Sequence, residues 1–483
     1  MTSIIRTLHD IDHKFRIFPM LILCNNLTPC GSTLPIATGV LKHTIMKKTI
    51  QFLALFATLA MFSQAGHIMQ GVGAINMSMG GAATGQPLDI SGALLWNPAA
   101  ISHFDGTVLK ADVGLFFSSP ELRSTVPVFN SEGQPTGEFF SGITEDDRGL
   151  SPMPALALVW GKNGSPHTFG VSAFGISGFG VTFPENNLNP INASQSMGGF
   201  GRIESDYGVF QFGVTWSYQI AEGLSIAIQP NFNWAMLELM PNPTANPTLA
   251  GYPSTNKASA IGFGAQAGLF YESNEGFSFG LSYKSQQNFQ EFEFENTYLD
   301  GQTSSNTLDL DYPAIYSAGI GYSIGDFDIA FDFRYVDYEN TNGFSESGWT
   351  DTGSVAGFGW KNIQILSTGL QFRGIDKLPL RIGYTYSSNP IDESVAFFNV
   401  PATAIIENAF QFGMSYKVSE QLQFDGVFHY ATSNGDTSGP LLNPMFIQNY
   451  PPYGAIPGSS VSYEMTTSMV MLGASYSFNT VKE

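Results

Sequence analysis

Charged residues are scarce in this sequence, and basic residues are the scarcest. Asp, Glu, Lys and Arg make up 12% of its 483 residues, about half their share in ordinary soluble domains. There are 20 Lys and Arg against 40 Asp and Glu, which excludes a nucleic-acid-binding protein because that class needs basic patches. Aromatic residues, in contrast, reach 13%. Few charges with many aromatics fit a β-barrel in a bilayer, and on composition alone they also fit a large soluble β-sandwich or propeller.

Cysteine and long apolar runs are almost missing as well. Both cysteines, Cys24 and Cys30, lie before residue 46, so the rest of the chain has no disulfide framework. The apolar run within MKKTIQFLALFATLAMFSQAG, residues 46–66, is about 14 residues long, which is too short for a spanning helix. No other apolar run approaches the length that a membrane-spanning helix needs. Two Lys before the run and small residues up to Ala65 are typical of a secretory signal peptide.

We expect residues 46–65 to be this signal peptide, cut after Ala65. A signal peptide begins a chain, so residues 1–45 are interpreted as a misassigned upstream extension, with a genuine extended leader as the alternative. Cleavage removes six Lys and Arg and two Asp and Glu, so the exported chain carries 14 against 38, a net charge of −24. An exported chain without cysteine fits a bilayer barrel, whose backbone hydrogen bonds close on themselves.

Strand-like runs fill the chain from residue 106 onward, and their connections alternate between short turns and long loops. The pattern predicts fourteen strands, six short turns and seven long loops, the arrangement expected of an outer-membrane barrel. Residues 106–483 are therefore predicted to form an all-β, 14-stranded antiparallel transmembrane β-barrel. The predicted strands cover 106–119, 152–162, 167–183, 204–220, 224–239, 259–272, 277–295, 311–324, 327–339, 362–374, 378–388, 407–418, 422–432 and 461–478.

Several of these strands alternate between an apolar and a polar face, as the lipid-facing and lumen-facing positions of a barrel do. In FDIAFDFRY, every second residue from Phe327 to Tyr335 is apolar or aromatic, and Asp328, Asp332 and Arg334 fall between them. Soluble sandwiches share such alternation. Its repetition over fourteen strands, with the unequal connections and the signal peptide, favours the membrane barrel.

The stretch GVGAINMSMGGAATGQPLDISGALLWNPAAI, residues 71–101, departs from the strand pattern. It resembles the N-terminal hatch of the long-chain fatty acid and aromatic hydrocarbon transporters of Gram-negative outer membranes, the FadL/TodX-like family. Residues 313–322, 329–339 and 378–392 resemble later strands of that family. The resemblance covers the whole exported chain and implies that residues 66–105 form a hatch, or plug, inside the barrel lumen.

In that family the hatch carries an Asn-Pro-Ala sequence, which is matched here by Asn97, Pro98 and Ala99 next to Trp96. Pro98 fixes its own φ and biases Asn97 away from helix, Asn97 can form a side-chain turn, and Trp96 offers a large apolar anchor. Fourteen strands enclose a wider lumen than wall side chains fill, so something must block it. The alternative is that these four residues only cap an ordinary loop.

The resemblance also implies passive transport of hydrophobic compounds, with lateral release into the bilayer at an inward kink of the third strand. Gly175, Gly178 and Gly180 are the candidates for this kink, because glycine inside a strand often marks a bulge. Simple accommodation of aromatic neighbours is the alternative. In the family the new N-terminus reaches into the ligand tunnel, so Ile68 and Met69 are ligand-binding candidates.

A fatty carboxylate would favour a buried cation, and Arg202, Arg334 and Arg381 are the candidates. An uncharged hydrocarbon would need none of them. The alternative for these arginines is a salt-bridge ladder inside the barrel. Its acidic partners would be Asp328, Asp332 or Asp425.

No catalytic site, metal or cofactor is predicted. A hydrolase needs a nucleophile, a His and an acid in mutual reach, and only His429 of the four histidines after residue 65 takes a mid-strand lumen position. The predicted partners are a hydrophobic small molecule and outer-membrane lipid, without nucleic acid, and the predicted state is a monomer in the Gram-negative outer membrane. The alternative function is a docking barrel, like one in type IX secretion, that binds protein cargo through acidic, Asn/Pro-rich loops.

Overall fold

The structure is a computed structural model that describes residues 64–161 and 164–478. The predicted upstream extension, residues 1–45, and the predicted signal peptide up to residue 63 lie outside these ranges. Within the described part of the chain, no helix is both long enough and apolar enough to cross a membrane.

The strands and helices of this part are numbered in chain order. The strands are β1 (Gln64–Ala65), β2 (Ile68–Met69), β3 (Thr107–Phe129), β4 (Pro135–Glu145), β5 (Leu150–Gly161), β6 (His167–Phe183), β7 (Ile203–Ala221), β8 (Leu224–Met240), β9 (Ser254–Thr255), β10 (Ala258–Glu272), β11 (Phe277–Lys284), β12 (Asn288–Phe289), β13 (Phe292–Thr297), β14 (Thr303–Leu308), β15 (Ala314–Ile324), β16 (Phe327–Asp337), β17 (Ile363–Phe372), β18 (Leu380–Ser387), β19 (Asn408–Lys417), β20 (Leu422–Thr432), β21 (Thr437–Gly439) and β22 (Ser460–Ser477). The α-helices are α1 (Ala74–Ser78) and α2 (Ile90–Trp96). The 3-10 helices are η1 (Pro98–His103), η2 (Pro190–Asn192), η3 (Gln195–Met197), η4 (Glu393–Asn399) and η5 (Pro444–Phe446).

Fourteen antiparallel strands close into one barrel. The ring follows the order β3, β5, β6, β7, β8, β10, β11, β15, β16, β17, β18, β19, β20 and β22. The last strand returns to the first, because β22 pairs with residues 108–125 of β3. Closure removes the free edges of an open sheet, whose bare N–H and C=O groups are costly in hydrocarbon. The fourteen-stranded antiparallel barrel predicted from the sequence is confirmed.

The outer face of the barrel is apolar and the inner face is polar, as the alternation predicted. Along β16, Phe327, Ile329 and Phe331 expose 42–44% of their surface, whereas Asp328 and Asp332 between them are buried. Exposed aromatic side chains also gather at both ends of the outer face, as in outer-membrane barrels. Neighbouring examples are Tyr283 and Tyr316 at the long-loop end and Trp160, Phe169 and Trp216 at the short-turn end.

Two predicted strand boundaries are wrong, and the first concerns the strand predicted at 106–119. β3 continues to Phe129 and pairs with β4, so both form a hairpin that extends beyond the barrel wall. Most residues of β4 are exposed, Phe139 and Ile143 among them. The polar residues of this stretch therefore lie on a solvent-exposed hairpin and do not form an irregular loop.

The second wrong boundary concerns the strand predicted at 277–295. β11 ends at Lys284, and β13 joins a separate three-stranded sheet with β14 and β9. The break occurs where the Ser285 hydroxyl accepts a hydrogen bond from the Ala265 N–H (3.1 Å). The Gln287 side chain also donates to the backbone oxygen of Ser285 (2.5 Å). Such side-chain bonds compete with a β-ladder, while the alternating aromatic pattern continues across the break and hides it.

Residues 66–104, called here the N-terminal segment, lie against the inner face of the barrel. Every residue from 66 to 101 is buried except Leu88, which is partly buried. Asp89 caps α2 by accepting a hydrogen bond from the Gly92 N–H (3.1 Å). Helices as short as α1 and α2 are unstable alone, so contacts with the surrounding wall hold this segment in shape.

Candidate functional site

The Asn97 side chain joins the N-terminal segment to the barrel wall. Its Oδ1 accepts a hydrogen bond from the Ala99 N–H (3.1 Å) at the start of η1. Its Nδ2 donates to the backbone oxygens of Thr84 (2.9 Å) and of Leu269 on β10 (3.0 Å). Pro98 takes the first position of η1, where a missing N–H is not needed. One side chain thus shapes the turn and fastens the segment.

Arg334 and Asp332 on β16 form a second connection. Asp332 accepts hydrogen bonds from two consecutive N–H groups of the segment (2.8 and 2.9 Å) and from Arg334 (2.7 Å). Arg334 also donates to the Gly81 oxygen (2.6 Å), and its guanidinium lies 3.7 Å from the centre of the Trp96 ring. Stacking over Trp adds cation–π attraction to these bonds. The alternative predicted for Arg334, an ion pair with Asp332, is therefore present, and a ligand contact for Arg334 stays a prediction.

Lys110 on β3 forms a third connection, with three carboxylates around it. Its Nζ lies 2.8 Å from Asp89 of the segment, 3.2 Å from Asp425 on β20 and 3.9 Å from Asp112. Asp112 in turn accepts a hydrogen bond from the Ala74 N–H (2.9 Å). A buried charge cluster is tolerated only when its members are paired and hydrogen-bonded, so this cluster fixes the segment in one position.

The other two predicted cations have different surroundings. Arg381 on β18 is buried and donates to Gln371 (2.7 Å) and to Ser415 (2.8 Å). Arg202 lies just before β7, exposes 44% of its side chain and pairs with Glu204 (2.7 Å). The structure therefore places Arg381 inside the barrel and Arg202 on its surface, and ligand contacts for both remain predictions.

Glycines of the wall let the backbone of the segment approach closely. A Cβ on Gly280 of β11 would lie 1.8 Å from the Thr84 oxygen, and one on Gly383 of β18 would lie 2.2 Å from the Gly80 nitrogen. The opposing atoms belong to backbone, so they cannot give way as a flexible side chain does. Any side chain at these two positions must therefore displace the segment.

Gly280→Ala is accordingly expected to loosen the N-terminal segment and to raise the ion conductance of the barrel in a planar bilayer several-fold. Gly426→Ala on β20 is the matched control, because its Cβ would meet only Leu472, at 3.7 Å. Equal conductance of the two folded variants would show that close contact at Gly280 does not hold the segment.

The barrel wall is incomplete between β5 and β6. The ladder between them ends at the pair Ala155–Phe174, although both strands continue toward the long-loop end. Pro152 and Pro154 of β5 have no N–H, and because they are two residues apart they lack it on the same edge of the strand. We call the unpaired region beyond Ala155 and Phe174 the breach.

On β6 the breach begins at a bulge between Gly175 and Ser177, where the register with β7 shifts by one residue. The N-terminal segment fills the free edge there, since Ile68 pairs with Ser177. The His67 oxygen accepts hydrogen bonds from the Ser177 hydroxyl and the Gly178 N–H, both at 2.9 Å. Two of the predicted kink glycines thus lie at the bulge.

The His67 ring lies in an aromatic chamber beside the breach. Five rings, whose centres are 4.6–6.0 Å from that of His67, surround it: Tyr207, Tyr312, Tyr338, Phe344 and Trp360. Its Nδ1 lies 2.6 Å from the Tyr338 hydroxyl. Burial lowers the pKa of His67 to about 3, so the ring is neutral at pH 7. Within the described ranges, His67 Nε2 and the Tyr207 hydroxyl have no hydrogen-bond partner.

Lys284, the last residue of β11, is a buried lysine that the arginine-based prediction missed. Its Nζ lies 3.2 Å from Gln211 Oε1 and 5.9 Å from the centre of the Tyr312 ring. Among the residues that the structure describes, it takes part in no ion pair. A buried ammonium without a counter-charge is costly, so an anionic ligand beside Lys284 would stabilise its charged form. The alternation of its strand places Lys284 on the polar face and could have identified it.

Two small apolar cavities lie among the long loops. The outer cavity, of about 50 Å³, is lined by apolar and aromatic side chains that include Trp349 and Phe398. The inner cavity, of about 20 Å³, shares Val355, Phe398 and Pro401 with the outer one and also contacts Phe358. The cavities are therefore neighbours, and the inner one also contacts Leu239 of the barrel strand β8.

Neither of the two motifs closest to a hydrolase forms a catalytic site. Ser278 stands in a Gly-x-Ser-x-Gly sequence, but it lies on β11 and donates to Gln86 Oε1 (2.8 Å), whereas a nucleophile elbow needs a strand-to-helix turn. His429 is buried on β20 with its Nδ1 3.2 Å from Gln411. No group of His, Cys, Asp and Glu in ranges 64–161 and 164–478 could hold a metal ion.

A closed antiparallel barrel with an apolar outer face, a polar inner face and aromatic ends defines an outer-membrane β-barrel protein. The chain belongs to the family described as Outer membrane protein transport protein (OMPP1/FadL/TodX), whose sequence model matches residues 53–478. It is therefore a transport protein of the Gram-negative outer membrane and not an enzyme.

Several solved structures share this fold. The chain is similar to the Pseudomonas putida toluene transporter TodX, with 15% identity, a TM-score of 0.60 and coverage of 85% of this chain and 99% of that one. A Pseudomonas aeruginosa FadL homologue has 14% identity, a TM-score of 0.66 and coverage of 86% and 100%. The Ralstonia pickettii toluene transporter TbuX has 15% identity, a TM-score of 0.57 and coverage of 85% and 99%. No curated protein matches the chain.

Proposed function

We propose that this protein carries hydrophobic compounds passively across the outer membrane and releases them sideways, through the breach, into the bilayer. The observation that carries this proposal is a continuous series of apolar and aromatic contacts from the loop cavities to the breach. TodX and TbuX are described as toluene transporters, and transport of similarly hydrophobic compounds is proposed here for this chain. The family match does not favour the alternative of protein-cargo docking.

Aromatic rings connect the inner cavity to the breach. Phe358 lines that cavity, and its ring centre lies 5.5 Å from that of Phe344 and 5.6 Å from that of Phe179 on β6. Phe344 lies 4.6 Å from His67, and Phe179 lies 4.8 Å from Tyr207. A hydrophobic compound on this path exchanges one apolar contact for another and is not returned to water.

The path is closed to large compounds in the conformation described. Cavities of about 50 and 20 Å³ hold only a few water-sized groups. Entry therefore requires ring side chains to move. At the breach end, Ile68 pairs with Ser177 and Met69 follows it in the chain, and both are buried, which supports their proposed contact with ligand.

We propose an amphiphilic substrate with an anionic head group, such as a long-chain fatty carboxylate. Lys284 and His67 contact the same Tyr312 ring, at 5.9 Å and 5.7 Å from its centre. A carboxylate beside this ring would supply the counter-charge that Lys284 lacks and an acceptor for the Tyr207 hydroxyl. Lys284 is the preferred head-group ligand, because the guanidinium of Arg334 is already bonded to protein groups.

The N-terminal segment is proposed to be the hatch that keeps the lumen closed, with Asn97 and the neighbouring Trp96, Pro98 and Ala99 as its anchor. Its bonds to β3, β10, β16 and β18 support this role, because they join it to separate parts of the ring. Residues 66–105 would then form one functional unit and residues 106–483 the other.

The proposal is tested by uptake of a labelled long-chain fatty acid and of labelled toluene. The host lacks its own outer-membrane carrier and expresses the chain from Met46. We expect uptake of both compounds, and Lys284→Met is expected to lower fatty-acid uptake about tenfold, the effect of losing one charge-assisted hydrogen bond, without changing toluene uptake. Lys417→Met, which removes an exposed lysine at the end of β19, is the matched control.

Each result of the uptake assay has a separate meaning. Equal loss of both compounds in Lys284→Met would assign Lys284 a structural role. Uptake of toluene without fatty acid by the unchanged chain would restrict the substrate to neutral hydrocarbons. A folded barrel that carries neither compound would refute the proposed function.

A further inference from the structure

Loop residues 146–148 cover the part of the breach nearest the long-loop end. The Asp147 N–H donates to the Thr182 oxygen (2.8 Å), and the Thr182 N–H donates to Asp146 Oδ1 (2.5 Å). Both bonds lie on β6, beyond Phe174, where its ladder with β5 has ended. This short stretch therefore takes the place of β5 along the far end of β6.

Arg148 extends this cover across β6 to the next strand. Its guanidinium donates to the Ser205 oxygen (2.5 Å) and to Asp206 Oδ1 (2.9 Å), both on β7. Gly180 is the register partner of Asp206, and a Cβ on Gly180 would lie only 1.8 Å from the Arg148 Nη1. The third predicted kink glycine thus provides the space in which this guanidinium lies.

The surroundings of Arg148 favour a firm attachment. Arg148 and Asp206 expose only 11% and 17% of their side chains. The second carboxylate oxygen of Asp206 contacts Lys257 (2.6 Å), so Asp206 is held from both sides. Charge-assisted bonds between partly buried groups are stronger than exposed ion pairs.

We propose that Arg148 is a positioning residue that holds residues 146–148 across β6 as a strap, so that the breach opens only toward the bilayer. An opening that reached the long-loop end would expose a departing hydrophobic compound to water, where it is least stable. The effect of the strap on transport rests on the proposed release through the breach. The strap itself is defined by its contacts and can be tested without transport.

A cysteine under the strap reports whether it is attached. Thr182 is buried there, and the chain after residue 65 has no cysteine of its own, so Thr182→Cys can be labelled selectively in the purified barrel with a polar maleimide. Arg148→Gln is expected to raise the labelling rate about tenfold, as the loss of charge-assisted bonds implies. Gly180→Ala is expected to raise it too, because its Cβ displaces the guanidinium without removing the charge.

Arg123→Gln is the matched control, since Arg123 also pairs with several acids at the long-loop end but lies on β3. Thr182→Cys that also carries Arg123→Gln should be labelled at the same rate as Thr182→Cys alone. If Arg148→Gln does not fold, Gly180→Ala gives the same test. An unchanged labelling rate in folded Arg148→Gln or Gly180→Ala would overturn the proposal that Arg148 holds the strap across β6.

Uptake of fatty acid and toluene separates this inference from the proposed function. We expect uptake to be lost in the two strap variants and kept in Arg123→Gln. Faster labelling with unaltered uptake would overturn the role of Arg148 in release. If the unchanged protein carries neither compound, the proposed function fails, and the labelling rates still decide whether the strap exists.

Discussion

Replacement of Arg334 by methionine is expected to free the N-terminal segment from β16 and to open the lumen to ions. Methionine keeps an apolar stem over Trp96 but removes the charge that faces Asp332 (2.7 Å). Asp332 would remain buried without its cation, and losing one partner of a buried ion pair costs about 3–5 kcal/mol. The two N–H groups that Asp332 binds in the segment would lose their fixed acceptor as well.

The measurement is single-channel conductance of the purified protein, combined with the temperature at which the barrel unfolds. Arg334→Met should give a much larger open conductance and a lower unfolding temperature. Arg373→Met is the control, because Arg373 pairs with Asp328 but exposes 41% of its side chain at the short-turn end. A closed lumen in folded Arg334→Met would mean that Asn97 and Lys110 hold the segment without Arg334.

The barrel could be predicted from the sequence because its strands obey a purely local rule. Period-two alternation and the lengths of the connections depend on neighbouring residues only. Strand β16 can therefore be recognised from its own residues. The same rule fails at β13, where FEFE alternates as well as any barrel strand. Alternation shows that a stretch is a strand, but not which sheet it joins.

The site could be predicted only in part, because its contacts join distant positions. His67 and Tyr338 lie 271 residues apart and meet at 2.6 Å, and no local pattern encodes such a pair. Asn97 was recognised through a motif, whereas the bond from its amide to Leu269 depends on the closed ring. Lys284 lay outside the arginine-based prediction, although the alternation of β11 places it on the polar face.

The breach has a local signal in the sequence, which is the pair of prolines in β5. Pro152 and Pro154 are separated by one residue in PMPALALVW, and a strand with prolines on one edge cannot complete a ladder there. The three predicted kink glycines of β6 have different surroundings. Gly175 and Gly178 lie at the bulge, and Gly180 makes room for Arg148.

Repair of the breach is expected to abolish uptake while leaving a folded barrel. The repaired variant lacks Ile176, the extra residue of the bulge, and carries Pro152→Thr and Pro154→Thr, which restore two N–H donors to β5. Without the extra residue, Gly175 and Ser177 would continue one register with β7, and the ladder with β5 could extend past Ala155. A closed wall would leave no lateral exit for a compound in the aromatic chamber.

Uptake of labelled fatty acid and toluene is compared with a control that has the two threonines but retains Ile176. The control keeps the bulge, and with it the contact of Ile68 with Ser177, so its uptake should stay near that of the unchanged chain. The amount of folded barrel is matched by its heat-dependent mobility on gels. Full uptake by the repaired variant would show that the substrate leaves into the periplasm and not into the bilayer. The lumen below the chamber would then be the remaining route.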